Sequence, residues 1–194
     1  ETCYFLLDLV HCLCKQNLDK QGACGKKSNK RKRQEIDTKK MIHSVLLMVK
    51  TALFLDNGGD HCSISLLRSS VSVQLLYKAS SILSFLVTEV STDESSFKEC
   101  VDTTCLVVRS VLRDLRNEGA EGKGSEVASG GCSLVERRAM MEPLPARLFS
   151  MLNICVNEAL KRDNSELVDA CSTLVRELLS REGGEGGRGG QSLF

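Results

Sequence analysis

The chain has no tryptophan, and aromatic residues fill only 4% of its 194 positions. Leu, Val and Ser dominate instead, which suits stacked helices better than a sheet sandwich. No strand-like alternation of apolar and polar residues persists, so the expected fold class is all-α. Also missing is an uninterrupted apolar run of the roughly 20 residues needed to cross a bilayer. Lys50 and then residues 56–60 break the best candidate, and no membrane partner is expected. No basic-then-apolar leader with a small-residue cleavage site is present. The first residue is Glu1 and the chain starts inside an apolar pattern, so a piece of a longer protein is expected.

Motifs for catalysis are equally scarce. Residues 119–131 and 183–190 are rich in glycine, but neither has the preceding strand, the GK[ST] or the following helix start of a phosphate loop. His11 and Cys14 would share a helix face beside Cys12, half of a zinc site. A site needs four ligands with paired spacing, and no second CxxC or HxxxH occurs. His43 and His61 have neither an adjacent nucleophile nor an orienting carboxylate. The expectation is a protein that is not an enzyme and holds no metal or cofactor.

The ten cysteines mostly sit among Leu and Val at helical spacing. Cys100, Cys105, Cys155 and Cys171 read as small hydrophobes, which places the chain in a reducing compartment.

What the chain does have is helical periodicity. Residues 40–90 hold two long apolar segments separated by the polar joint Asp56-Asn57-Gly58-Gly59-Asp60. In the first segment Ile42, Val45, Leu46, Val49 and Leu53 recur at steps that align side chains on one helix face. Met41, Leu47, Met48, Ala52, Phe54 and Leu55 fill much of the remaining circumference, leaving His43, Ser44, Lys50 and Thr51 for water. Such a helix is expected to be covered on several sides. It should be capped by Asp37 or Thr38 and end near Leu55. A second helix carries Val73, Leu76, Tyr77, Leu83 and Val87 after a short apolar piece, residues 64–67. The two form an antiparallel hairpin.

Elsewhere the same period returns. Residues 1–18 carry Phe5, Leu6, Leu9, Val10, Leu13 and Cys14, the stripe of a first helix in a packed pair. A polar start signal at residues 92–95 opens a helix to about Asn117, with Phe97, Val101, Thr104, Cys105, Val108, Leu112 and Leu115 on one face. Arg109, Arg113, Asp114 and Arg116 lie elsewhere, as in a half-covered outer helix. A short helix over 134–141 is expected to stop at Pro143 and Pro145. Residues 146–161 repeat the pattern with Leu148, Met151, Leu152, Cys155, Val156 and Leu160. Asp163 or Asn164 opens the last helix, striped by Leu167, Cys171, Leu174 and Leu178.

The expected organisation is a helical segment over 1–118 containing a basic linker at 19–36, a flexible Gly-rich linker at 119–133, a further hairpin at 134–181 and a Gly-rich tail at 182–194. Helix, turn, helix and linker is the logic of an α-solenoid, in which neighbours bury faces none could bury alone. Intervals between equivalent helices are uneven, so the expectation is an irregular HEAT/armadillo-like array of antiparallel pairs.

Charge is segregated. Formal net charge is +1, yet Lys26, Lys27, Lys30, Arg31, Lys32 and Arg33 place +6 in eight residues, leaving the rest at −5. A basic run on a solvated linker suits the acidic groove of a nuclear import receptor or the phosphates of DNA. A partner-free spacer is the bland reading. No aromatics interleave with the cations, so contact would go to phosphates and would be blind to sequence.

The string LLMVKTALFLDNGGDHCSISLLRSS resembles a segment in the later part of the Fanconi anaemia group I family. Thr51-Ala52-Leu53-Phe54, Asp56, His61, Ser63, Ser65, Leu67-Arg68-Ser69-Ser70 and Tyr77 carry the resemblance, which extends from about residue 4 to about residue 115. It implies an irregular helical solenoid that pairs with a related paralogue as a heterodimer and clamps double-stranded or branched DNA. It further implies a substrate of the ubiquitination machinery, acting in interstrand crosslink repair in the nucleus. The family's acceptor lysine lies upstream of the matching stretch, and no lysine here takes that role. A generic HEAT- or armadillo-type adaptor without a DNA role is the alternative.

Overall fold

The computed structural model describes residue 12, residues 28–54, residue 67, residues 70–121 and residues 142–182. The described part is all-helical: α1 (Ser28–Phe54), α2 (Ser70–Phe85), α3 (Glu94–Glu121), α4 (Leu144–Lys161) and α5 (Ser165–Glu182). Apart from residue 12, which is helical, the expected first helix over 1–18 lies outside the described residues, as do the short helix over 134–141 and residues 183–194 of the tail.

In α1 the predicted stripe is buried in full, from Ile42 through Val45, Leu46 and Val49 to Leu53. Two expectations for this helix are corrected. It begins at Ser28, about nine residues before the predicted cap at Asp37 or Thr38, so the second half of the expected basic linker has helical backbone. Arg, Lys, Gln and Glu are good helix formers, and once the apolar half is anchored, each added residue gains a backbone bond without a new nucleus. Nor is α1 covered on several sides: Leu47 is 57% and Met48 46% exposed, on one open face with His43 and Ser44.

α2 buries Val73, Leu76, Ala79, Ile82 and Leu83, with Tyr77 half-buried. It ends in a π-helical turn, Leu86–Val90, where the Ser91 amide donates to the Leu86 carbonyl at 2.9 Å and the Ser91 hydroxyl donates to the same oxygen at 2.6 Å. The wider turn lets Leu86, Val87 and Val90 all face inward. Residues 71–90 have a mean hydropathy of 1.4, long and apolar enough by composition to cross a membrane. That corrects the sequence reading, which found no such stretch. Half of this segment is buried against the other helices, as a core helix would be.

α3 is the enclosed helix. The predicted face is buried from Phe97 to Leu112 and half-buried at Leu115, but Cys100, Thr103, Val107, Ser110, Val111 and Asp114 are buried as well. Among the side chains described beyond Lys98, only the stripe Asp102, Leu106, Arg109, Arg113 and Arg116 is open. The expected half-covered outer helix is thus the central one. Its second face is built of small or branched residues, and Thr103 and Thr104 donate to the carbonyls of Glu99 and Cys100, at 2.8 and 2.9 Å. Hydroxyls satisfied in this way can be buried without orphaned donors, so neighbouring helices approach closely.

α4 starts at Leu144, with Pro145 in its first turn, where the missing N–H costs nothing. Leu148, Met151, Leu152 and Cys155 are buried as expected; Leu160 is 56% exposed, and Leu144 and Ala159 take buried places instead. The turn into α5 is a Schellman motif. The Asn164 amide donates to the Ala159 carbonyl and the Asp163 amide to that of Leu160, at 3.0 and 3.2 Å, with Asp163 left-handed at φ 53°. Leu167, Cys171, Leu174 and Leu178 of α5 are all buried.

Side-chain contacts fix the relative directions. Lys39 meets Asp93 and His43 meets Glu99, so α1 and α3 run in the same sense. Lys98 meets Glu166 and Arg116 meets Glu177, so α5 also runs with α3. Arg147 reaches Ser80 and Arg162 reaches Ser91, so α4 runs with α2. The chain alternates between these two directions, and one buried cluster extends from Ile42 to Leu178.

Candidate functional site

The basic cluster is the one segment singled out from sequence. Lys30, Arg31, Lys32 and Arg33 lie in the first two turns of α1; Lys26 and Lys27 lie outside the described residues. No acidic residue accompanies them in the first turn. A helix N-terminus carries a partial positive charge from its unsatisfied N–H groups.

Two turns further on, α1 is clamped to the start of α3. The Lys39 ammonium lies 3.3 Å from Asp93, and His43 Nδ1 lies 2.9 Å from Glu99. Asp93 also caps α3, its Oδ1 accepting from the Ser96 amide at 3.0 Å. Burial alone would raise the Asp93 carboxyl, but the Ser96 amide and hydroxyl and the Lys39 ammonium together hold it below the usual carboxylate value. The basic turns are therefore carried on a helix whose next turns are held by both apolar burial and charge.

A second arrangement was not legible in the sequence. Arg162, at the end of α4, donates from Nη2 to the Ser91 carbonyl at 2.5 Å, stacks 4.3 Å from the Phe97 ring centroid and lies 3.9 Å from Glu94. Beside it Asn164 accepts from the Leu167 amide at 3.1 Å as the cap of α5 and donates to Glu94 at 2.6 Å. Arg147 makes the matching contact at the other end of α4, to the hydroxyls of Ser80 and Ser81. The sequence reading singled out neither arginine; both bind groups more than 60 residues away. No local signal marks them, because their partners are a carbonyl and hydroxyls on another helix.

Between α3 and α5 lies an open groove of about 440 Å³, with Leu112, Leu174 and Ala170 as its floor and Arg109, Arg116, Thr173 and Glu177 at its rim. Arg116 is paired with Glu177. The groove thus sets polar and charged side chains around an apolar floor.

One turn back along α3, and beside Ala170 on α5, are two thiols. Cys105 on α3 and Cys171 on α5 have their sulfurs 3.7 Å apart, both buried. Contact with Cys171, then burial, raises the Cys105 thiol. For Cys171 the hydrogen bond from Cys105 lowers the value, but contact with Cys155 and burial outweigh it and push the thiol up to about 12. Both are therefore protonated at neutral pH, as expected of cysteines used for packing. Among the described residues no three His, Cys, Asp or Glu side chains are placed to hold a metal ion.

No protein-family model, no curated protein and no solved structure matches this chain.

Proposed function

We propose that this chain is a non-enzymatic scaffold segment of a Fanconi group I-like protein, an irregular α-solenoid that acts in DNA interstrand crosslink repair in the nucleus. In this reading it contributes to a heterodimer with a paralogous solenoid protein that clamps double-stranded or branched DNA. The observation that carries the architecture is the alternation of direction: α1, α3 and α5 run one way, α2 and α4 the other, and α3 is enclosed between α1 and α5. Alternating helices of this kind form the two layers of a solenoid. The same-sense helices begin at residues 28, 94 and 165, a longer spacing than the roughly 40-residue period of a regular HEAT array. That favours the irregular solenoid over a generic adaptor. The DNA and repair roles rest on the run TALFxD followed by HxSxSxLRSS and on the basic turns of α1.

The basic turns supply the test. If Lys26, Lys27, Lys30, Arg31, Lys32 and Arg33 contact duplex phosphates, binding is sequence-blind and driven by counterion release. Replacing all six with Gln should lower the slope of log affinity against log salt by up to about 5, since each neutralised phosphate adds about 0.9. Unchanged duplex affinity and slope would remove the DNA role of this segment. Loss of nuclear accumulation of a fused reporter at unchanged affinity would assign the cluster to import instead.

A further inference from the structure

Cys105 and Cys171 stand on different helices, 66 residues apart in sequence, with their sulfurs 3.7 Å apart. The helices that carry them are already held in register by Lys98–Glu166 on one side and Arg116–Glu177 on the other. A disulfide needs its sulfurs at about 2 Å, so closing it requires these two to approach from 3.7 Å. The groove between α3 and α5 lies next to this pair along both helices: Arg109, one turn beyond Cys105, and Ala170, the residue before Cys171, line it.

We propose that Cys105 and Cys171 are an oxidation site for hydrogen peroxide, closing a disulfide that staples α5 to α3. The reaction runs in two steps. One cysteine gives up its proton and its sulfur attacks the peroxide; the O–O bond breaks, leaving a sulfenic acid, with the other oxygen departing as water. The second sulfur then displaces the sulfenic oxygen, which leaves as a second water. Two thiols and one hydrogen peroxide thus give one disulfide and two waters, with the peroxide as sole oxidant. Because both thiols are held protonated, the bridge forms slowly and records sustained oxidant, not brief exposure. The staple would fix the α4–α5 hairpin to the enclosed helix, closing a loop that runs through α4 and so removing freedom from the unfolded chain.

The test uses the full chain, folded, with its accessible thiols first alkylated. Treatment with hydrogen peroxide should then remove one pair of hydrogen atoms from the intact mass and yield a peptide pair joined through Cys105 and Cys171. The melting temperature should rise by several degrees, up to roughly 10 °C, and a reductant should reverse both changes. The variant C155S should still form the bridge and C171S should not. The wild-type peptide map needs no variant to fold and decides the matter alone. Bridges joining other cysteines, sulfinic or sulfonic acids without a bridge, or an unchanged mass would each overturn the proposal.

Discussion

Replacing Arg162 with methionine should destabilise the fold by about 2–4 kcal/mol, although the residue is a charged side chain at the end of a helix. The magnitude follows from its three contacts. A hydrogen bond from a charged donor is worth about 1.5–3 kcal/mol, and its acceptor is the carbonyl of Ser91, a residue only 4% exposed. The guanidinium over the Phe97 ring adds about 0.5–2 kcal/mol. Glu94, 3.9 Å away and 56% exposed, adds at most about 1 kcal/mol and is weakened by salt. Methionine keeps the apolar stem against Phe97, so the loss falls below the full sum. Urea denaturation followed by far-ultraviolet circular dichroism measures it, with the slope m expected to stay unchanged. Glu94→Gln should cost under about 1 kcal/mol. The double variant with Phe97→Leu should show a coupling of at least about 0.5 kcal/mol. A loss under about 0.5 kcal/mol for Arg162→Met, less than a single neutral hydrogen bond supplies, would show that α4 is not anchored to the start of α3 in this way.

Adjacent residues of α1 give a sharp contrast: Leu46 is fully buried and Leu47 is 57% exposed, so Leu46→Ala should cost about 2–5 kcal/mol and Leu47→Ala under about 0.5 kcal/mol. Equal losses in the same urea assay would contradict the packing of α1. Asn164→Ala removes the cap of α5 and its bond to Glu94, at an expected loss of about 0.5–2 kcal/mol by thermal melting; a gain in stability would count against that cap. Asp93 is held below its ordinary value in the folded state, so its contribution is present above the unfolded value near pH 4 and is lost as pH falls through the lower folded value. Asp93→Asn should therefore flatten the acid limb of the stability curve below about pH 4. An acid limb of the same steepness would show that the Ser96 and Lys39 contacts do not hold the carboxylate.

The sequence by itself determined that these segments are helices and which stripe of each is apolar. Ile42 to Leu53, Phe97 to Leu112 and Leu167 to Leu178 were all marked by three- and four-residue spacing, and all are buried. That spacing is a local property, set by 3.6 residues per turn, so it survives without knowledge of any neighbour. Start signals were local as well: Asp93 and Asn164 cap α3 and α5 through amides three residues on.

Only the tertiary structure decided how many sides of each helix are covered. Composition pointed to α1 as enclosed and α3 as an outer helix, and the packing reversed them. Leucines and methionines on α1 raised its apolar count, but Leu47 and Met48 face outward. On α3, Thr103, Ser110 and Asp114 lie off the predicted apolar face and are buried all the same. A short hydroxyl that bonds its own helix presents little polar surface to a neighbour, and small side chains let helices approach, so enclosure follows from fit more than from hydropathy. The same holds for the contacts with chemistry of their own. Arg162 over Phe97, and Cys105 against Cys171, join residues 65 or more positions apart, and such pairs exist only once the helices have been brought side by side.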